Sequence, residues 1–127
     1  MEFSLLQTLV GSLIIIFIDS IYLNLNKDFY KPIMDPGVSL NLTAGIICWI
    51  IIIIAIQLLV LSRPDIQESN VFVYGAILGF AMYGVYNMTN YATYPHKWTP
   101  AIAVGDTAWG SLITGSMAYI LFKIGKI

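Results

Sequence analysis

Two aspartates stand inside long hydrophobic stretches of the sequence. Asp19 lies in the stretch that begins near Ser4, and Asp106 lies in the stretch that begins near Pro100. An ionisable group at the centre of a bilayer costs roughly 2.5–3.5 kcal/mol, so its presence indicates a functional site or a specific packing contact. Two carboxyls in a low-dielectric site repel each other, which favours one of them holding a proton. Such a pair suits proton coupling, acid–base chemistry or a structural hydrogen bond.

Aromatic and amide side chains accompany these aspartates. The third hydrophobic stretch carries tyrosines and asparagines toward its end, and a tryptophan follows Asp106 by about one helical turn. The carboxyls would share a proton or bind a cation. Asn87 and Asn90 would orient a headgroup or a water molecule, and Trp109 would form a wall. The predicted binding pocket consists of Asp19, Tyr83, Tyr86, Asn87, Asn90, Asp106 and Trp109.

Other kinds of chemistry lack support in the sequence. We find no His/Cys cluster with metal-ligand spacing, no Gly-rich phosphate loop and no serine elbow, so we predict no metal and no cofactor. No residue is assigned a catalytic role. The net charge is −1 and no basic patch is present, which argues against a nucleic-acid partner.

The composition is that of an integral membrane protein. Of the 127 residues, 58% are hydrophobic and only 10% are charged, whereas soluble domains carry about 25% charged residues. A soluble chain of this length could not bury so much apolar surface. We therefore predict a single transmembrane domain over residues 1–127, with membrane lipid as its partner and no soluble partner.

Four hydrophobic segments are long enough to span a bilayer, which requires about 20 apolar residues. They cover residues 4–25, 40–61, 71–90 and 100–122. The isoleucine run in the second segment is a helix, because a lone strand in lipid would leave its backbone unpaired. Turn signals separate the segments, and the short loops make successive helices antiparallel. The predicted fold is all-α, an integral membrane four-helix antiparallel bundle.

The polar residues should gather in one half of the bilayer. Asp19 lies roughly 9 Å below the end of the first segment, and Asp106 roughly 9 Å below the start of the fourth. Those two ends and the end of the third segment share one membrane face. On the third segment, one stripe holds Gly75, Gly79, Tyr83, Tyr86 and Asn90. The second segment, apart from Gln57 toward the opposite face, is expected to be a lipid-facing wall.

The charges of the chain do not determine its orientation in the membrane. Orientation follows Lys and Arg in the short loops. One side would carry Arg63, Lys123 and Lys126, and the other Lys27, Lys31 and Lys97. Three cations on each side give no preference.

Two motifs carry a resemblance to a known family. Tyr86-x-x-Thr89-Asn90 and Asp106-x-x-Trp109-Gly110, with the Phe29-Tyr30 pair, resemble the predicted membrane proteins of the domain of unknown function 2177 family. The resemblance covers nearly the whole chain. It implies a four-helix membrane protein, located in a bacterial inner membrane or in a viral or host membrane. The family pattern has aspartate where this chain has Asn87, which argues against a mechanism that needs three acids.

Three functions remain open from the sequence. The first is a structural or assembly membrane protein, in which the polar residues only fix packing. The second is a binder or transporter of a small molecule or lipid headgroup; it could be a homo-oligomer, because four helices rarely enclose a pathway alone. The alternative is a lipid-modifying enzyme that uses the carboxylate pair. We favour a role without catalysis.

Overall fold

The computed structural model describes residues 1–125, and these fold into four long helices and one short helix. Lys126, which entered the count of cations on each side, lies outside the described residues. A 3-10 turn follows the short helix, and a π-helical turn at Gln57–Leu61 continues the third helix. The helices are α1 (Leu5–Leu25), α2 (Lys27–Tyr30), α3 (Leu42–Ile56), α4 (Val71–Thr93) and α5 (Pro100–Gly125).

Local sequence signals set the helix ends. The Ser4 hydroxyl accepts a hydrogen bond from the Gln7 amide at 3.1 Å and caps α1. The Thr99 hydroxyl accepts from the Ile102 amide at 3.2 Å and caps α5, whose first residue is a proline. Between α2 and α3 the chain reverses at Gly37, whose φ of 82° is a conformation that glycine adopts without strain. Helices α1 and α5 thus begin within one residue of the segment starts predicted at residues 4 and 100.

Three of the helices are long and apolar enough to cross a membrane. They cover Leu5–Leu25, Leu42–Leu61 and Val71–Thr93. Rows of large apolar side chains point outward from them, as Leu9, Leu13 and Phe17 do on α1. Soluble proteins rarely expose contiguous apolar surface of this extent. The predicted all-helical fold is confirmed, since residues 1–125 contain helices and no strand.

The helix α5 is long enough to span but is not apolar enough to join those three. Its sequence mixes glycine, serine and threonine with apolar residues and includes Asp106. This composition fits its position, since α5 is the central helix. It packs against α1 and α3 on one side and most extensively against α4. A helix that contacts several others needs small residues at its contacts more than an apolar surface all round.

Neighbouring long helices run in opposite directions. Ser4 and Asp19 of α1 bond to Gln57 and Trp49 of the α3 segment respectively. Residues early in α4 likewise contact residues late in α5. All four long helices contribute to one apolar core, whose most buried members include Ile15, Ile53, Val71 and Met117.

The contact between α4 and α5 is very close because glycines line it. A Cβ on Gly75 would lie 2.6 Å from the Cβ of Ala118, and one on Gly79 would overlap the carbonyl oxygen of Gly110. The buried stripe of α4 follows steps of four residues through Val71, Gly75 and Gly79, passes the half-buried Tyr83 and includes Asn87. The predicted stripe was therefore wrong at its polar end. It continued through Tyr86, which is 55% exposed, because it assumed the period of a free helix rather than the i+4 ridge that packs.

Candidate functional site

The Asp19 carboxylate binds two tryptophans. One oxygen accepts a hydrogen bond from the Trp49 indole N–H at 2.8 Å, and the other accepts from the Trp109 indole N–H at 2.8 Å. Asp19 is buried, with 8% of its surface exposed. These two bonds join α1, α3 and α5 at one carboxyl group. Because a buried indole N–H needs an acceptor, the bonds satisfy both sides of the contact.

Asp106 has a separate set of partners. The Tyr30 hydroxyl donates to one carboxylate oxygen at 2.7 Å, and the Asn87 amide donates to the other at 2.8 Å. Asn87 is fully buried, and its own oxygen accepts from the Trp98 indole at 2.9 Å. Its amide nitrogen also donates to the Tyr83 carbonyl at 2.8 Å. The carboxyl of Asp106 thus joins α2, α4 and α5.

Tyr22 connects the two aspartates. Its hydroxyl is 2.8 Å from the Tyr30 hydroxyl, and its ring stacks on Trp109 with centroids 3.8 Å apart and planes 4° from parallel. Stacking and hydrogen bonds therefore run without a break from one carboxylate to the other. We call this group the carboxylate cluster: Asp19, Tyr22, Tyr30, Trp49, Asn87, Trp98, Asp106 and Trp109.

Neutral groups donate to both aspartates. Within residues 1–125 the ion pairs lie elsewhere, between exposed side chains: Arg63–Asp65, Lys97–Asp35 and Lys123–Glu68. Burial, together with its hydrogen bonds to Tyr22 and Asp106, raises the pKa of the Tyr30 hydroxyl, so the phenol keeps its proton and can donate. The cluster consequently holds carboxyl groups with indole, phenol and amide donors and without a cationic side chain.

The structure brings together four of the seven residues predicted for the pocket: Asp19, Asn87, Asp106 and Trp109. Tyr83 lies beside them, with its ring packed directly on Gly110. Tyr86 and Asn90 make no hydrogen bond to either aspartate, and Tyr86 touches the carboxylate cluster only at Trp98. The Tyr86 ring meets Trp98 edge-on at 5.5 Å, and the Asn90 amide donates to the Tyr86 carbonyl of its own helix at 2.8 Å.

Sequence reasoning missed Tyr22, Tyr30, Trp49 and Trp98. Trp49 belongs to the segment expected to be a lipid-facing wall, and that expectation was wrong at this residue. Trp98 precedes the fourth predicted segment and was not assigned to the pocket, yet its indole donates to the Asn87 oxygen. The sequence did contain a signal for the tryptophans. The chain has three of them, and a buried indole N–H normally finds an acceptor. In the structure those acceptors are Asp19 for two of the indoles and Asn87 for the third.

A second polar group lies at the opposite end of the helices, where Gln57 was predicted to point. The Gln57 amide donates to the Thr8 hydroxyl at 2.7 Å, and its oxygen accepts from the Ser4 backbone amide at 2.8 Å. The Gln7 amide donates to the Leu121 carbonyl at 3.1 Å. We call Ser4, Gln7, Thr8 and Gln57 the amide cluster. Gln57 begins the π-helical turn, an irregularity that often marks a specialised position in a helix.

Two cavities lie away from the aspartates. A groove of about 890 Å³ follows the outer side of α4 and α5 between Phe72 and Met88. It is almost entirely apolar, and its two hydroxyls, Thr107 and Ser111, donate to the carbonyls of Ala103 and Ala76 at 2.7 Å. A smaller cavity of about 450 Å³ adjoins the amide cluster near Glu2. Neither cavity has Asp19 or Asp106 in its lining.

Metal binding has no support in the part of the chain that the structure describes. Residues 1–125 contain no group of three His, Cys, Asp or Glu side chains that could hold a metal ion. The arrangement can hold helices together through hydrogen bonds, and it could bind a cation if a donor were displaced. These are the chemical capacities of the site.

Apolar helices joined by a buried polar network define a helical membrane protein. The chain belongs to the domain of unknown function 2177 family, described as predicted membrane proteins, whose model matches residues 4–122. The resemblance noted from the motifs is thereby confirmed. Comparison with curated proteins and with solved structures gives no significant match.

Proposed function

We propose that this chain is a structural or assembly protein of the membrane, in which the carboxylate cluster fastens the helices to one another. In this proposal α5 is a fourth spanning helix, shielded by its neighbours. The observation that carries the proposal is that the two carboxyls take all four of their hydrogen bonds from other elements of the same chain. Those bonds reach every helix, from α1 to α5.

Removing either carboxyl takes away an acceptor that two donors share. Interhelical hydrogen bonds in membranes contribute about 0.6 kcal/mol each. An unsatisfied buried donor costs about 1–3 kcal/mol. Removing the carboxyl that two indoles share therefore costs more free energy than the two hydrogen bonds contribute to stability. A network of this kind selects one packing arrangement over alternatives that would leave its donors unpaired.

Paired substitutions test the structural role. In Asp19→Asn and Asp106→Asn, each amide keeps an acceptor oxygen for one donor and loses the other. We expect both variants to insert into the membrane, to lose unfolding free energy and to fall in cellular abundance. Gly84→Ala is the matched control, because its Cβ would meet only Thr107, at 3.7 Å. Aspartate variants with unchanged stability would contradict the structural role.

A second role, cation binding, is favoured by the charges around the two aspartates. Neither Asp19 nor Asp106 pairs with Lys or Arg among the described residues, although aromatic side chains contact both. Aromatic faces and carboxylates together recognise ammonium groups. A headgroup amine or a small organic cation is the ligand that such a site would take. A transporter built on it could require a second copy of the chain.

Intrinsic fluorescence provides a direct test of cation binding. All three tryptophans belong to the carboxylate cluster, so the emission of the whole protein reports on this site. In nanodiscs of phosphatidylglycerol, titration with ethanolamine or tetramethylammonium should shift the emission of the wild type. Asp106→Asn should weaken that response. No response to either cation in the wild type would favour the purely structural role, and a changed lipid profile in expressing cells would instead favour a lipid-modifying enzyme.

A further inference from the structure

The connection between α1 and α3 is attached to the rest of the protein at few points. Of the residues from Lys27 to Asn41, only Tyr30 is buried, at 7% exposure, and only Ile33 is half-buried. Segments with so few buried contacts open at a low free energy compared with the core. The chain also has a natural bend on each side of α2. Asn26 is non-helical at φ −116° and ψ 26°, and Gly37 adopts a positive φ.

Two neighbouring rings make the attachment. The Tyr30 hydroxyl lies between Asp106 at 2.7 Å and Tyr22 at 2.8 Å. The Phe29 ring rests on Gly105 so closely that a Cβ there would lie 2.8 Å from the Phe29 Cζ atom. These contacts place α2 over the residues of α5 that carry the Asp106 carboxyl. Farther along, Asp35 pairs with Lys97 at an exposed position.

The Tyr30 phenol is one of two donors to the Asp106 carboxyl. It donates to one oxygen of Asp106, while the other oxygen is held by Asn87 inside the bundle. Asn87 belongs to a long helix and is fully buried, whereas Tyr30 belongs to a four-residue helix in an exposed connection. Of the two donors to Asp106, Tyr30 is therefore the one that can leave without unpacking α4.

We propose that α2 is a latch, with Tyr30 and Phe29 docked reversibly on Asp106 and Gly105, and that its release exposes the Asp106 carboxyl while Asp19 stays enclosed. The latch controls access to one carboxyl of the pair. Asp19 has no comparable cover, because its donors Trp49 and Trp109 belong to the long helices α3 and α5. This inference does not depend on which of the proposed roles is correct, since it concerns only the accessibility of the two carboxyls.

Gly105→Ala opens the latch selectively. The three atoms nearest to the added methyl would all belong to the Phe29 ring, so the ring must move while α5 keeps its other contacts. We expect a water-soluble carbodiimide with glycinamide to modify Asp106 roughly tenfold faster in this variant, because overpacking of a close contact is costly. Asp19 in the same molecule is the internal reference, and its modification should stay slow. Peptide mass spectrometry separates the two sites.

Amide hydrogen exchange and a second variant also test whether α2 is a latch. Amide hydrogen exchange in nanodiscs should accelerate across residues 26–34 in Gly105→Ala and stay unchanged across α4. Tyr30→Phe, which keeps the ring and removes the hydroxyl, should give a smaller increase in the same segment. Gly84→Ala should behave like the wild type. The latch would be refuted if Gly105→Ala left Asp106 as protected as in the control, or if exchange rose across all helices, since α2 would then be part of the core.

Discussion

The carboxylate cluster and the amide cluster both hold polar side chains between apolar helices, at opposite ends of those helices. They differ in the groups that form their hydrogen bonds. In the carboxylate cluster, each aspartate takes two side-chain donors from distant elements. In the amide cluster, Gln57 and Gln7 use backbone groups as well as side chains. The difference shows that a carboxyl in this fold is held by several helices, whereas an amide can be satisfied by one neighbour and the main chain.

The two ends also differ in how completely their polar atoms are satisfied. In the amide cluster, Gln7 Oε1 is buried without a hydrogen bond, whereas no buried side-chain atom of the carboxylate cluster lacks a partner. An unsatisfied neutral acceptor is tolerated more easily than an unsatisfied charged one. The amide end is thus the looser of the two, and perturbations there should cost less.

Loss of the Asp19 carboxyl should have the largest effect. Asp19→Leu leaves the indoles of Trp49 and Trp109 without an acceptor, and each unsatisfied donor is costly. We expect a loss of about 3 kcal/mol in the free energy of unfolding, measured by titration from mild detergent into sodium dodecyl sulfate. Tryptophan emission should change at the same time. A loss no greater than that of the corresponding change at Gln57 would remove the distinction between the two ends.

Separation of α4 from α5 should come next. Gly79→Ala places a methyl group against the backbone oxygen of Gly110, which cannot move alone, so the helices must move apart. We expect about 2 kcal/mol of destabilisation and a weakened bond between Asn87 and Asp106, visible as a change in the emission of Trp98. The measurement is the same detergent titration, with Gly84→Ala as the control of equal size. Equal stability of the two variants would show that the close contact is unimportant.

The amide end should be more tolerant. Gln57→Leu keeps the side-chain volume roughly constant and removes the bonds to Thr8 and Ser4. The Thr8 hydroxyl keeps its bond to the Ser4 carbonyl, and no charged group loses a partner. We expect a loss of about 1 kcal/mol in the same unfolding measurement. The tryptophan emission should be unchanged, because all three indoles lie at the other end.

Removing one hydroxyl within the carboxylate cluster should be a smaller change. Tyr22→Phe keeps the ring stacked on Trp109 and removes only the bond to Tyr30, which still donates to Asp106. We expect about 0.5 kcal/mol in unfolding free energy, close to the average for a hydrogen bond between membrane helices. A much larger loss would mean that the link between the aspartates is itself essential for the fold.

Charges outside the helices should matter least. Arg63 lowers the pKa of Asp65 in the turn between α3 and α4, so the ionised carboxylate favours the folded state above its unfolded pKa. That contribution is lost as the pH falls through the folded pKa. We expect the stability difference between the wild type and Asp65→Asn to be small at neutral pH, because the pair is exposed, and to vanish in acid. Unfolding titrations at the two pH values provide the measurement, and a difference that persists in acid would argue against the ion pair as its cause.

The sequence by itself determined the helices and their ends. Hydrophobic length placed the segments, and Ser4, Gly37 and Thr99 marked boundaries through local hydrogen bonds or backbone freedom. It also placed the aspartates toward the same end, because depth follows from position along a helix. These properties depend on neighbours within a few residues, which the sequence contains directly.

Only the tertiary structure decided which side chains meet. Trp49 and Trp109 reach Asp19 across 30 and 90 residues of sequence, and the meeting depends on how each helix is rotated about its axis. For α4 and α5 that rotation is set by their close approach, where glycines align along an i+4 ridge. The same rotation turned Tyr86 outward and Asn87 inward. The sequence therefore located the polar end of the protein, while helix packing selected the partners of its two carboxyls.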